Sequence, residues 1–323
     1  ALFCPLLQNI SLMSDYTILL LLYVLMANLH SLCGSMAQAM GRIRLYAVSG
    51  ILCTASVVGL NILLLSVFRL GIIGYVLSNV IADAFTALLL FFCLRLWKYF
   101  RPAALKRSVI KRMFSYCLPL IPATVCSWII NISDRYFISY MIGSDVSGLY
   151  AIANKISTIL LIASGIFTSA WQISIVSQRS KQEQERFFSN VFSVYEAGIL
   201  IGASVLMAAS RLIMRFLAAP DYYEAWHYAP VLVLGMAIAC LGSFFSSIYV
   251  AEKNSTATLL TTVAGAVTNI AGNALLIPVW GAMGAAIATL FSYLVIFVTR
   301  AVHSQTLLRI RWSVPRFVLS MLV

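Results

Sequence analysis

The chain has 323 residues, of which 62% are hydrophobic and 10% are charged, and its mean hydropathy is +0.95. Soluble domains carry about 25% charged residues, so this composition excludes an ordinary water-facing globular protein and indicates that much of the surface faces lipid. The net charge of +12 would suggest nucleic acid in a soluble protein. Here the basic residues stand in short gaps between apolar runs, as in cytoplasmic loops of membrane proteins, and we expect no nucleic-acid partner.

The apolar runs predict a chain that crosses the bilayer many times. A helix needs about 20 apolar residues to span the hydrocarbon core. In chain order, runs of this size occupy residues 16–38, 45–68, 71–94, 114–140, 148–177, 188–208, 229–250, 257–277 and 282–302, and a tenth begins near 314. The expected fold class is all-α, a polytopic transmembrane helical bundle with about nine full spans and partial ends.

The two ends of the sequence indicate a piece of a longer protein. The chain opens inside an apolar stretch without an initiator Met or a basic leader region. It ends in the apolar segment 317–323, which is too short to cross a bilayer. We therefore expect the chain to be the middle of a longer membrane protein.

Lys and Arg set the expected orientation. If the stretch 95–112 is placed in the cytoplasm, most of the 22 basic residues fall inside, and only Arg69, Arg211 and Arg215 fall outside. The opposite orientation would place the majority outside, against the positive-inside rule. We therefore expect 95–112 to be a basic cytoplasmic linker.

A short internal repeat indicates two similar bundles. Gly71 and Gly74 in LGIIGYVLS correspond to Gly281 and Gly284 in WGAMGAAIA. Each pair follows an inside-to-outside helix and opens an outside-to-inside one, so the repeat is parallel, about an axis normal to the membrane. Because six spans separate the pairs, the sequence predicts two pseudo-twofold-related six-helix bundles.

The repeat also sets the expected domain boundaries. These are 1–112, the last part of the first bundle with the basic linker 95–112; 113–302, the second six-helix bundle; and 303–323, a cytoplasmic loop with the start of a further span.

Five ionisable residues lie at membrane depth, where charge is costly and each is by default a functional candidate. Asp83 and Glu196 lie near the middle of their helices, and for them a helix-packing role and a proton- or cation-linked role are both open. Asp134, Arg135 and Lys155 lie nearer the outer surface. They can pair with one another as an interhelical clamp, contact an anion in a transport cavity, or anchor lipid headgroups.

Polar side chains form stripes along the helices that carry these charges. Asn131 shares a face with Asp134 or Arg135, and Asn154 adjoins Lys155. Such stripes face a bundle interior or a water-filled cavity rather than lipid. The predicted cationic substrate-binding cavity consists of Arg135, Lys155, Asn131 and Asn154, with Asp83, Asp134 and Glu196 as the cavity acids that couple transport to an ion.

Two prolines and one histidine complete the candidate residues. Pro119 and Pro122 fall in the first two turns of the run 114–140, where proline removes a helix hydrogen bond and predicts a kink or a hinge. His30 is interpreted as a packed or hydrogen-bonded histidine rather than a proton relay.

The sequence shows no sign of a metal or catalytic centre. Its seven cysteines show neither CxxC spacing nor a neighbouring His cluster, so no metal site, cofactor or disulfide framework is predicted. No nucleophilic triad or phosphate-binding loop occurs. The longest outside loop, about 209–229, leaves little room for a catalytic domain, and we do not expect an enzyme.

Three segments of the second half carry motifs in a fixed order. Segment 119–156 contains Asp134-Arg135 followed by GSDVSGLYAIA, segment 221–235 reads DYYEAWHYAPVLVLG, and segment 269–293 reads NIAGNALLIPVWGAMGAAIATLFSY. Together they resemble the Wzx-type polysaccharide flippases, the polysaccharide transport family of the MOP exporter superfamily. One departure is Gly272, where the family often has Leu.

This resemblance implies a 12- to 14-helix exporter, with about three further helices before this chain and one or two after it. The implied substrate is undecaprenyl-pyrophosphate-linked oligosaccharide, moved across the bacterial inner (cytoplasmic) membrane for O-antigen, capsule or exopolysaccharide assembly. The implied partners are that lipid-linked oligosaccharide, membrane lipids and the polysaccharide polymerase machinery. In the expected mechanism the two bundles alternate access to a central cationic cavity that admits the sugar-pyrophosphate head.

Two other functions compete with this interpretation. A MATE-like cation-coupled drug antiporter would share the bundles but rely on acids rather than basic residues in its cavity. A membrane polymerase or ligase of the same sugars would need a sizeable outside loop with catalytic residues, which the sequence does not contain.

Overall fold

The computed structural model describes residues 17–99, 106–175 and 181–310, and within these ranges the chain is helical and contains no strand. In chain order the helices are α1 Thr17–Ala39, α2 Ile43–Asn61, α3 Gly71–Cys93, α4 Arg107–Met141, α5 Ser144–Ile175, α6 Lys181–Leu217, α7 Ala229–Ala251 and α8 Ser255–Leu307. A π-helical segment, Ile62–Val67, extends α2, and short 3-10 helices at Leu96–Lys98 and Pro220–His227 follow α3 and α6. The all-α fold class is confirmed.

Eight helices of the described chain are long and apolar enough to cross a membrane. The longest, α8, has 53 residues and bends at Gly281, where φ is 60° and ψ is −142°. Its two arms, 255–280 and 282–307, each have the length of a span, so the described residues supply nine apolar spans. The predicted tenth run near 314 lies outside the described residues.

Several helices are longer than the apolar runs that predicted them. α4 begins at Arg107 rather than near 114, and α6 covers Lys181–Leu217, whereas the apolar run covered 188–208. The added turns are rich in Lys, Arg, Glu and Gln, which have high helix propensity. A hydropathy count finds only the part of a helix that lies in lipid, so it misses these polar extensions.

The earlier start of α4 changes the position of its prolines. Pro119 and Pro122 lie inside one continuous helix, about three to four turns after Arg107, and not in its first two turns. Their role as a hinge stays a prediction.

By its internal contacts the chain divides into two compact units, residues 1–105 and 106–323. In the first unit α3 packs against both α1 and α2. In the second unit α8 packs against α4 and α7, and α7 also contacts α5 and α6. The predicted boundary at 112/113 falls inside α4, because that helix starts within the expected linker; the assignment of the units to two bundles stays a prediction.

The core of the second unit is built around α7, which is buried along most of its length. Aromatic rings pack against it in stacked and edge-on arrangements, among them Trp171 and Phe244 with ring centroids 5.2 Å apart. The indole N–H of Trp171 donates to the Ser247 hydroxyl at 2.9 Å, so its polar group is satisfied in the core. Van der Waals packing of this kind is the main force that holds helices together in lipid.

The two glycine pairs of the internal repeat occupy similar turns. Gly71 and Gly281 have φ values of 56° and 60°, a region that L side chains rarely adopt. Gly74 and Gly284 are both buried against the end of the preceding helix, and a Cβ on Gly284 would collide with the Leu276 carbonyl group. The sequence repeat therefore reflects a tight turn that is built twice.

Arg300 ties together α7 and the two arms of α8. Its guanidinium donates to the hydroxyls of Thr261 (3.2 Å) and Thr262 (3.0 Å) and to the Gly242 carbonyl (3.3 Å). We predict that Arg300→Lys lowers the stability of the purified protein by about 1–2 kcal/mol, because one ammonium cannot reproduce the fork. Thermal unfolding in detergent measures this, and Arg215→Lys, at an exposed position, is the control. An unchanged melting temperature for Arg300→Lys would contradict the prediction.

Candidate functional site

Asp134 is a buried acid at the centre of a polar cluster in the second unit, with 4% of its surface exposed. One carboxylate oxygen accepts from the hydroxyls of Tyr150 and Thr289, both at 2.6 Å. The other accepts from the amides of Asn273 at 2.8 Å and Asn269 at 3.2 Å. Four donors offset the cost of burying a carboxylate. We call these five residues the Asp134 cluster.

Four helical segments bring the cluster together. Asp134 lies on α4 and Tyr150 on α5, while the two arms of α8 supply Asn269 and Asn273 on one side and Thr289 on the other. Asn269 and Asn273 are four residues apart and share a helix face. The arms approach closely because Gly272 has no side chain: a Cβ there would stand 2.8 Å from the Cβ of Ala288.

The cluster keeps one oxygen atom unsatisfied. Ser133 donates to Asn269 Oδ1 at 2.5 Å, whereas Asn273 Oδ1 is buried and has no hydrogen-bond partner in the described structure. A cavity of about 10 Å³ adjoins Asp134 and is also lined by Asn131, Asn154, Tyr150, Thr289 and Tyr293, among others. It has room for about one water-sized species. The carboxylate, amide and hydroxyl oxygens that line this cavity suit a proton or a small, hard cation.

The predicted cationic residues stand apart from this cluster. Arg135 and Lys155 are both exposed, and no ion pair joins either of them to Asp134 among the described residues. Asp134 points instead at neutral donors, so the structure does not form the clamp that the sequence left open. Asn131 and Asn154, in contrast, line the small cavity beside Asp134.

In the first unit, Asp83 lies between two other polar residues. Its Oδ1 is 2.8 Å from Nδ1 of His30, and the Cys53 thiol donates to the same oxygen at 3.6 Å. His30 is thus hydrogen-bonded, as interpreted from the sequence, and Asp83 is its partner. Glu196 lies half-buried on α6, in the other unit.

A basic pocket of about 640 Å³ opens at one end of the first unit. It is lined by Met40, Arg42, Leu45, Cys93, Leu94, Arg95, Lys98 and Tyr99. Arg42 lies in the turn between α1 and α2, and Arg95 and Lys98 follow the end of α3. Arg95 takes a left-handed backbone conformation with φ 53°. In the part of the chain that the structure describes, no carboxylate pairs with any of these three cations.

Sequence reasoning misses parts of both polar clusters. Asn269, Asn273 and Thr289 stand inside the motif segment 269–293, but the sequence analysis assigns them no role. The available signal is two amides four residues apart in an otherwise apolar helix, which fits a polar contact inside a bundle. For Tyr150 and Cys53 no such signal exists, because each is one polar group on a helix whose partners lie elsewhere in the chain.

Comparison with solved structures identifies the fold. A mutant form of the Vibrio cholerae MATE transporter VcmN matches with a TM-score of 0.79 at 13% identity, over 93% of this chain and 70% of that one. An outward-facing multidrug-resistance MATE transporter of the MOP superfamily matches with a TM-score of 0.75 at 12% identity, over 92% and 70%. The lipid II flippase MurJ, inward closed, matches with 0.64 at 16%, over 94% and 65%. No curated protein sequence matches.

The apolar helices and these structural matches therefore define a multi-pass membrane protein with the same fold as the MATE transporters and MurJ. The sequence profile of the family described as "Polysaccharide biosynthesis protein" matches residues 1–172, more than half of the chain. The chain belongs to that family, and the resemblance found in the sequence is confirmed.

Proposed function

We propose that this chain is the central part of a flippase that moves undecaprenyl-pyrophosphate-linked oligosaccharide across the bacterial inner membrane by alternating access. The flipped oligosaccharide would be used for O-antigen, capsule or exopolysaccharide assembly. The polysaccharide polymerase machinery would be the partner that receives it. Family membership supports a role in polysaccharide biosynthesis. A lipid II flippase among the proteins of the same fold supports a lipid-linked substrate.

The observation that carries this proposal is the basic pocket. Arg42, Arg95 and Lys98 converge around about 640 Å³ without a described carboxylate partner. The positive-inside rule assigns them to the cytoplasmic side, where a lipid-linked precursor is made before it is flipped. A pyrophosphate is a dianion or more, and Arg and Lys are the side chains that recognise it. A pocket lined by three cations favours an anionic substrate over a cationic one.

The Asp134 cluster is proposed to couple transport to an ion. Its carboxylate, its hydroxyls and the unsatisfied Asn273 Oδ1 offer only oxygen atoms to a bound species. Binding of a cation or proton there would change the hydrogen bonds that α5 and α8 make to the carboxylate on α4. The bound species would thereby favour one conformation over another. Asp83 and Glu196 remain proposed as further ion-responsive acids.

Arg135 and Lys155 are proposed to contact the anionic head at a later stage of transport, with Asn131 and Asn154 binding sugar hydroxyls. Both side chains are exposed and have no ion-pair partner in the described structure, so they are free to contact a ligand. Changing Arg135 to Glu tests this part separately. A variant that inserts normally and still flips at the wild-type rate would remove Arg135 from the substrate path.

The basic pocket gives the sharper test. We predict that the triple variant Arg42→Gln, Arg95→Gln, Lys98→Gln restores surface polymer to a flippase-null strain at least about tenfold less well than the wild-type full-length gene. Each charge-assisted hydrogen bond to phosphate contributes about 1.5–3 kcal/mol, so the loss of three far exceeds one tenfold step. Lipid-linked oligosaccharide should accumulate on the cytoplasmic side.

A matched triple controls for the loss of positive charge. Arg107, Lys111 and Arg112 are exposed on the same predicted side and do not line the pocket. Changing these three to Gln should leave polymer export near the wild-type level. Equal export by both triple variants, at equal abundance in the membrane, would count against the pocket as a substrate site.

The runner-up is a cation-coupled drug antiporter, which the Asp134 cluster also fits. Such a protein would not restore surface polymer in the flippase-null strain. It would export dyes in a way that depends on Asp134 and is unaffected by the pocket triple variant.

A further inference from the structure

Three side chains with metal-binding atoms converge in the first unit from three different helices. His30 on α1, Cys53 on α2 and Asp83 on α3 place one ligand atom each within 4.8 Å of one another. The distances are 2.8 Å from Nδ1 to Oδ1, 3.6 Å from Sγ to Oδ1, and 4.0 Å from Sγ to Nδ1. All three residues lie near the middle of their helices, where polar groups are expensive and usually functional.

The separations match one face of a coordination tetrahedron. Zinc binds nitrogen and oxygen at about 2.0–2.2 Å and sulfur at about 2.3 Å, which places neighbouring ligands about 3.3–3.6 Å apart. The Sγ–Oδ1 distance of 3.6 Å already lies in that range. The Nδ1–Oδ1 distance of 2.8 Å must lengthen, and the Sγ–Nδ1 distance of 4.0 Å must shorten, each by roughly half an ångström, which side-chain rotations can supply.

The donor atoms also select the kind of ion. Imidazole and thiolate favour first-row transition ions such as Zn²⁺ and Co²⁺, whereas Mg²⁺ and Ca²⁺ take oxygen ligands. The His30–Asp83 pair by itself is satisfied as a hydrogen bond and needs no sulfur. It is the third atom, Sγ of Cys53, that distinguishes this cluster from an ion pair.

The cluster is only partly buried, because the side chains of His30 and Asp83 are 23% and 16% exposed. This leaves room for a water molecule as the fourth ligand, as in zinc sites that have three protein ligands and one open position.

We propose that His30, Cys53 and Asp83 bind a divalent transition-metal ion, with Zn²⁺ the preferred one, that joins α1, α2 and α3. On binding, the Cys53 thiol gives up its proton to water and the thiolate coordinates the ion, while His30 coordinates through Nδ1 as the neutral tautomer that carries its proton on Nε2. The proposal does not depend on the identity of the transported substrate, because the three ligand atoms are side-chain atoms of the first unit. It escaped sequence analysis because Cys53 is 23 residues from His30 and 30 from Asp83, which matches no metal-binding motif.

Cobalt titration of the full-length protein tests the site directly. The protein is purified in detergent, stripped with a chelator and titrated with Co²⁺. We expect the visible absorption of tetrahedral Co²⁺ together with a thiolate-to-cobalt charge-transfer band. Cys53→Ser should abolish that band, and His30→Gln or Asp83→Asn should weaken binding by at least about tenfold. Cys93→Ser, at an exposed position near the end of α3, is the matched control and should titrate like the wild type.

Thermal unfolding with Zn²⁺ provides a second test that does not use visible absorption. Zn²⁺ should raise the melting temperature of the wild type and of Cys93→Ser, but not of Cys53→Ser, because a ligand that binds only the folded state stabilises it. The proposal is overturned if Co²⁺ gives no charge-transfer band at saturating concentration. It is equally overturned if the band persists in Cys53→Ser, since the metal would then be held by another cysteine.

Discussion

Changing Asp134 to Asn is expected to leave a protein that folds and inserts but exports surface polymer at least about tenfold less than the wild type. Asn has nearly the same shape as Asp. Its amide oxygen can accept from Asn269 and Asn273, and its NH₂ group can donate to Tyr150 and Thr289, whose hydroxyls rotate to accept. The packing therefore survives, while the negative charge that would attract an ion is lost.

The measurement is complementation of the flippase-null strain, with membrane abundance measured alongside. Asp145→Asn removes an acid at an exposed position at the start of α5 and serves as the control. Asp134→Leu provides the contrast, because it removes the acceptor of the buried Tyr150 and Thr289 hydroxyls and should lower abundance itself. Wild-type export by Asp134→Asn would remove this carboxylate from the coupling mechanism.

A purified-protein measurement identifies the coupling ion. If the Asp134 cluster binds sodium, Na⁺ should raise the melting temperature relative to choline at equal ionic strength, and Asp134→Asn should abolish the difference. If the variant loses export but the wild type shows no sodium effect, the result excludes sodium and favours a proton. Either result is compatible with the oxygen-only donor set of the cluster.

Among glycine-to-alanine substitutions in the second unit, Gly284→Ala is expected to lower the stability of the protein most. The new Cβ would overlap the carbonyl group of Leu276 and stand 2.9 Å from the Ile277 nitrogen. Both contacts are backbone of the opposing arm of α8, which cannot rotate away, so the arms must separate. Overpacking of this kind costs about 1–3 kcal/mol or more. Separation of the arms would also pull Thr289 away from Asn269, which now donates to it at 2.9 Å.

Gly198→Ala is the matched control, because a Cβ there meets no atom within 4 Å. Alanine has a higher helix propensity than glycine by about 1 kcal/mol, so this variant should be neutral or slightly stabilised. Membrane abundance and thermal unfolding in detergent report both effects. Equal stability of Gly284→Ala and Gly198→Ala would mean that the arms of α8 are not as tightly packed as the structure shows.

Much of the fold could be predicted because lipid imposes a simple rule. Every span must be an apolar helix about 20 residues long, so the nine spans and the all-α class follow from hydropathy. The turn at Gly281 was also visible, since a glycine pair repeated it at Gly71. The extensions of α4 and α6 were not predicted, because outside lipid a helix no longer needs apolar residues.

The candidate site was predicted only in part. The cost of charge in lipid selected Asp134 and Asp83 without reference to any partner. The same argument could not say that Asp134 faces neutral donors rather than Arg135, because residues adjacent in sequence point to different faces of a helix.

Hydropathy and charge along the chain are enough to show that lipid surrounds the helices and how many spans there are. They also show which charged side chains cost free energy in lipid. Each of these properties depends on one helix at a time. Which polar groups meet is known only from the packed helices. Asn269 and Asn273 reach Asp134 from 135 and 139 residues away, and Cys53 joins His30 and Asp83 from another helix. Such contacts depend on the rotation and close approach of neighbouring helices, which small residues such as Gly272 permit and no single helix encodes.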